Sequence, residues 1–200
     1  ARDVVLVHMG SMSNLFAALG WTLVHLLERP ALLEAVRGGD LDLLERCASE
    51  SIRLMQRSIV LRRVLRPVEL ADEGTSWRLP PGVFAATFLP CTNRSALPGL
   101  DGFDPANFAG RRFTRAESLP ARELVVTFGH GRHACPAQRF SITAIRHAVA
   151  ALVTRFELVP RFRGPRPLRR QIGGVARADR PCPVGYRRRS SLSVTSRRQK

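Results

Sequence analysis

Residues 128–138 read Phe-Gly-His-Gly-Arg-His-Ala-Cys-Pro-Ala-Gln and hold the residue types best suited to chemistry in this 200-residue chain. Cys135 follows a glycine-rich turn and precedes an amphipathic stretch. The unpaired N–H groups and dipole of a helix start there would favour its thiolate. Gly129 and Gly131 permit a tight turn that would aim backbone N–H groups at the sulfur. Arg132 and His133 add positive potential, and Pro136 suits a first helical turn, where no N–H bond is lost. Such a thiolate could be a nucleophile, a redox cysteine or a metal ligand; on these residues alone a buried structural cysteine is an equal reading. Cys47, Cys91 and Cys182 are widely spaced, with neither a CxxC pair nor a zinc spacing, which points to free thiols in a reducing compartment.

The elements that must position this loop lie on both sides of it. Residues 139–156 form an amphipathic helix whose apolar face includes Phe140, Ile145, Val149 and Val153. Residues 4–27 are apolar almost all round and predict a long core helix. Its middle turn, His8 to Asn14, is small and polar, which lowers helix propensity and invites a bend; a helix–helix crossing at a small residue is the plain reading. A short helix over 30–36 ends at Gly38-Gly39, and Asp40 reads as the N-cap of a third helix over 41–54. Within it Glu50 and Arg53 share a face, a pattern that by itself marks a surface pair. Residues 60–70 and 77–89 read as strands of a small antiparallel sheet, and 91–127 as a long irregular stretch of the kind that is functional or held by something else. Residues 156–160 read as a strand, 168–184 as a short hairpin, and the chain from 187 onward as disordered.

Formal charge is +16, and the last forty residues carry thirteen basic side chains against one acid, Asp179. That tail lacks interleaved aromatics, so a solvated surface favouring acidic partners is the better reading and nucleic acid is not the expected partner. No apolar run is judged long enough to cross a bilayer, because Gly20, Trp21 and His25 interrupt the most apolar stretch, and no signal peptide is seen. A soluble, cytoplasmic chain is expected.

Phe128-x-x-Gly131-x-His133-x-Cys135 resembles the haem-binding loop of the cytochrome P450 superfamily, with histidine at that pattern's arginine position. Glu50-Ser51-Ile52-Arg53 is similar to the family's K-helix Glu-x-x-Arg, Arg62-Arg63 follows at a matching remove, and Phe103-Asp104-Pro105 resembles the meander before the loop. Gly10 to Asn14 falls at the family's distal I-helix motif, with Ser13 at the acid position and Asn14 at the threonine position.

The resemblance implies a mainly α fold with small antiparallel β-sheets, residues 1–187 being the C-terminal part of a P450 domain and 188–200 a basic tail. It implies haem b (iron protoporphyrin IX) with Cys135 as axial thiolate, Phe128 and Gly131 shaping the loop, and His133 with Arg62 or Arg63 near the propionates. Glu50 and Arg53 would be structural, and Ser13 and Asn14 would serve proton delivery. The implied function is a monooxygenase hydroxylating a small hydrophobic substrate with electrons from an acidic ferredoxin or flavoprotein reductase. Asparagine at position 14 is similar to a branch of the family in which some members rearrange peroxides, so a peroxide isomerase or dehydratase is the alternative, alongside an inactive fragment. Other departures are Ala137 at the loop's second glycine and Asn107 at the meander arginine, for which Arg111 or Arg112 could substitute. The domain is about twice this length, so an N-terminal half is an expected partner of these residues.

Overall fold

The computed structural model describes residues 2–111 and 124–189. Helix α1 (Arg2–Leu27) runs unbroken for 26 residues, about 39 Å at the α-helical rise. Its polar turn does not interrupt it: Ser11 Oγ donates to His8 O and Asn14 Nδ2 to Gly10 O, each at 2.9 Å. Those side chains bond back to the preceding turn and the helix continues. Only the second half is core. Ala17, Ala18, Trp21, Val24 and Leu26 are buried, while Val4, Leu6, Val7 and Met9 are exposed. By length and composition α1 is the one helix among the described residues able to cross a membrane. This corrects the expectation that no apolar run is long enough; Gly20, Trp21 and His25 do not dilute it sufficiently.

Helix α2 (Pro30–Arg37) begins on its proline. Helix α3 (Leu41–Met55) begins as expected, with Asp40 Oδ1 accepting from Leu43 N at 2.8 Å. Both pack against α1 and against α5 (Gln138–Arg155). The shared core is fully buried at Leu44, Cys47, Ala48, Ile145, Val149 and Val153. Phe140, expected on that face, is exposed; it lies about 140° around the helix from Ile145.

The two strand runs become four strands, because Pro67 and Pro80-Pro81 stand where each would continue. Strand β1 (Ile59–Arg63) pairs antiparallel with β4 (Phe84–Phe88), Ile59 facing Phe88. Strands β2 (Val68–Asp72) and β3 (Thr75–Leu79) form a separate ribbon. Strand β5 (Phe156–Pro160) continues from α5 and pairs with β6 (Val184–Arg188), so the boundary expected at 187 falls inside a strand. In place of a laddered hairpin, residues 168–184 carry a turn at Gly173-Gly174 and two isolated bridges to residues outside them, Val175 with Gln56 and Ala178 with Pro167. The stretch read as irregular contains a helix, α4 (Leu89–Ser95), and a kinked 3-10 segment, Pro105–Arg111. The fold class is mainly α with small antiparallel ribbons, as expected.

Candidate functional site

Beneath the loop sits a buried polar clamp. Glu50 and Arg53 are both 0% exposed. The guanidinium grips the carboxylate in a fork, Nε to Oε2 at 2.7 Å and Nη2 to Oε1 at 2.6 Å. Burying two charges is tolerated only where every donor and acceptor is matched, and here the remainder is matched by the irregular stretch. Arg53 donates to Asn93 O, Leu100 O and Gly102 O. Glu50 Oε1 accepts from Asp104 N and Asn107 Nδ2, each at 3.0 Å. This corrects the surface pair expected from spacing; i, i+3 spacing reports adjacency and says nothing of burial. Asn107 supplies a hydrogen bond where an arginine would supply charge, and the side chains of Arg111 and Arg112 lie outside the described residues.

Two amide side chains carry the clamp's rigidity to the loop. Asn93 is fully buried and holds Val126 at both ends, Val126 N to Oδ1 at 2.9 Å and Nδ2 to Val126 O at 2.8 Å. Gln56 Nε2 donates to Thr127 O at 2.9 Å. Neither residue stands out in the sequence, since their partners are 33 and 71 positions away.

From Thr127 the chain folds back on itself. Cys135 N donates to Phe128 O at 2.6 Å, His133 N to His130 O at 3.2 Å and Ala134 N to Gly131 O at 3.1 Å. These three amides close the turn on carbonyl oxygens. Gly129 is required: it has φ +75°, and a Cβ there would lie 2.5 Å from His133 O. Helix α5 starts at Gln138, so Pro136 precedes the helix and does not occupy its first turn. Cys135 is half-buried with a free thiol, while Arg132 and His133 are exposed.

Cys135 opens on a cavity of about 560 Å³, within the range of sites for organic ligands. The loop supplies Phe128, His133 and Cys135 to its lining, and α1 supplies Gly10, Ser11 and Asn14. A Cβ at Gly10 would meet nothing within 4 Å, so the helix borders open space there. Arg62 also lines the cavity; Arg63, next along β1, is not among the lining residues. Ser58, Ile59 and Val60 contribute from the start of β1, and Gly174 and Val175 do so from the turn beyond β5.

Ser13 does not join this site. It lines a separate groove of about 1070 Å³ on another face of α1, together with Phe16, Trp21 and Leu27. The structure thus brings together Cys135, Phe128, His133, Arg62 and Asn14, separates Ser13, and sets Glu50 and Arg53 behind the wall. A thiol facing small residues across an apolar space, with Arg62 and His133 for anionic groups, fits a flat, largely apolar metallocofactor with acidic substituents.

No family model matches the chain. Over 92% of its length the chain is 22% identical to the human 24-hydroxycholesterol 7-alpha-hydroxylase, of which it covers 43%. It is 25% identical over 82% of its length to cytochrome P450 monooxygenase CYP512U6 of Ganoderma lucidum, covering 36% of that protein. The fold is similar to that of a six-coordinated cytochrome P450 from Thermus thermophilus, with TM-score 0.69 and 26% identity over 87% of this chain and 45% of that one. The chain spans less than half the length of each. The loop, the buried clamp and these likenesses agree: in sequence and in fold the chain is similar to the C-terminal part of cytochrome P450s.

Proposed function

We propose that these residues form the haem-binding half of a haem-thiolate monooxygenase that hydroxylates a small hydrophobic substrate. The observation that carries the reading is the shared cavity: Cys135 on one wall, Gly10, Ser11 and Asn14 on another, with Arg62 and His133 at hand. Cys135 would ligate the iron of haem b as thiolate, and Arg62 and His133 would pair with the propionates. Bound haem supplies dioxygen activation, favoured by electron donation from the thiolate. Phe128, half-buried beside Cys135, shields the sulfur from water. The clamp behind the wall holds the loop's approach through Asn93 and Gln56. Ile52, Ile59, Val60, Leu89 and Val175 make the lining apolar, which suits an apolar substrate. Exposed Arg132 and Arg139 offer a basic landing surface for an acidic ferredoxin or flavoprotein reductase. The apolar half of α1 left exposed at Val4 to Met9 suits cover by an N-terminal half of the domain.

The test is the spectrum of the native-length protein, reconstituted with haem, reduced and exposed to CO. A thiolate-type Soret band in wild type and its loss in Cys135→Ala are expected; survival of the band in the variant defeats the assignment. A second reading, isomerisation or dehydration of a hydroperoxide, is favoured by one observation: the polar atoms of Asn14 already bond to the backbone. Turnover of a hydroperoxide without reductant would support it, and strict dependence on NAD(P)H and a reductase would exclude it.

A further inference from the structure

We propose that Asn14 is a positioning residue: it straps the turn at 173–175 onto α1 and so sets one wall of the cavity, and that wall is tied by side-chain hydrogen bonds to the loop that carries Cys135. Asn14 Oδ1 accepts from Val175 N at 2.8 Å, while Nδ2 donates to Gly10 O at 2.9 Å. The amide has one orientation only. Val175 N–H requires an oxygen and the Gly10 carbonyl requires an N–H. The turn is shaped to receive this side chain. Gly174 has φ +62°, and a Cβ there would overlap Asn14 Oδ1.

The strap continues beyond the turn. Gly174 N donates to Ser58 Oγ at 2.9 Å, and Ser58 Oγ donates to Gln56 Oε1 at 2.9 Å. Gln56 Nε2 donates to Thr127 O at 2.9 Å, and the next carbonyl, Phe128 O, accepts from Cys135 N at 2.6 Å. Asn14, Ser58, Gln56, Thr127, Phe128 and Cys135 all line the cavity. A polar belt therefore runs from the helix wall to the thiol loop along the rim of a largely apolar space. Fully matched networks of this kind rigidify what they join. Threonine at position 14 would bond back to Gly10 O and, being shorter, would not reach Val175. The strap stands on the hydrogen bonds alone; its effect on haem ligands rests on the function proposed above.

The experiment is residue-resolved amide hydrogen exchange on the native-length protein, with and without haem. Removing Asn14 deletes one hydrogen bond to Val175, so in Asn14→Ala and Asn14→Thr the Val175 amide should exchange at least ~5-fold faster. The amides of α3 should keep wild-type protection, which reports that the variants fold. Asn14→Asp retains the acceptor and should hold Val175 near wild type. Ser58→Ala should accelerate Gly174 more than Val175. Wild-type protection of Val175 in Asn14→Ala overturns the strap. The consequence for the cavity is read with imidazole and 4-phenylimidazole by Soret shift. Asn14→Ala should favour the bulkier ligand several-fold relative to wild type, and an unchanged ratio overturns the wall-setting role. If wild type shows no Soret band, the haem assignment fails while the exchange measurements still decide the strap.

Discussion

The Glu50–Arg53 clamp and the Cys135 loop are both rich in polar groups, and the fold treats them in opposite ways. The clamp is fully buried, and each charged group meets several partners drawn from α3, α4, the segment that follows α4 and the 3-10 segment. The loop is half in water, and the amides of His133, Ala134 and Cys135 close on its own carbonyls. One region is over-determined so that the other can stay open. Rigidity resides where no chemistry occurs, and it reaches the loop through Asn93 and Gln56 at its entry. A cavity wall built this way keeps its thiol accessible without leaving its position to chance.

Substitutions can break that contrast, and the largest effect is expected in the clamp. Arg53→Met leaves the Glu50 carboxylate buried without its partner, which should cost about 3–5 kcal/mol in urea unfolding; a loss under about 1 kcal/mol would mean the clamp does not carry the fold. Next comes His25, buried between α1 and α3 with Nδ1 2.8 Å from Ser51 Oγ. Ser51 Oγ donates to Cys47 O, so Nδ1 carries the proton toward Ser51. Burial first, then Arg29 and Arg94, lowers the imidazole pKa to about 3 from 6.5. The unfolded chain binds the extra proton, so this stability is complete above pH 6.5 and drains as pH falls towards 3, by up to about 1.4 kcal/mol per pH unit. In His25→Gln the acid slope should flatten over that window; an unchanged slope would place the sensitivity elsewhere.

Asn93→Ala strips both hydrogen bonds from Val126 and should cost about 1–3 kcal/mol, with faster exchange at the loop's entry as the second reading. The smallest effect on stability is expected in the loop itself. In the haem-free protein Cys135→Ala should move the unfolding free energy by no more than about 0.5 kcal/mol, while in the haem-loaded protein it removes the thiolate spectrum; a large destabilisation without haem would erase the contrast. The thiols sharpen it chemically. Cys47 is fully buried and its pKa is raised to about 12, chiefly by desolvation, whereas Cys91 is exposed. Alkylation at neutral pH should label Cys91 early and spare Cys47 until the protein unfolds.

Local signals were legible. Asp40 announced the start of α3, the spacing of Ile145, Val149 and Val153 announced the buried face of α5, and prolines and glycines marked the ribbons. The loop's residues announced a thiol with a purpose, and the family resemblance joined it to Glu50 and Arg53. What stayed hidden is non-local. Nothing near Asn14 names Val175 as its partner, 161 residues away, and nothing near Asn93 names Val126. The split of Ser13 from Asn14 follows from the roughly 100° step between neighbours on a helix, but which face met the cavity depended on where α3 and the loop would pack. The exposure of residues 4–9 was hidden for the same reason: an apolar stripe reports what wants burial, and only the partner's presence decides it.

Trp21 is 3% exposed and its indole Nε1 donates to Ala176 O at 2.7 Å, while Trp77 on the β2–β3 ribbon is 49% exposed. The protein therefore carries its two tryptophans in contrasting surroundings. Acrylamide should quench the ribbon's red-shifted emission first, leaving a blue-shifted signal from the junction of α1 with the chain beyond Val175. That residual emission would follow the joining of the two walls of the cavity in real time, with no label attached.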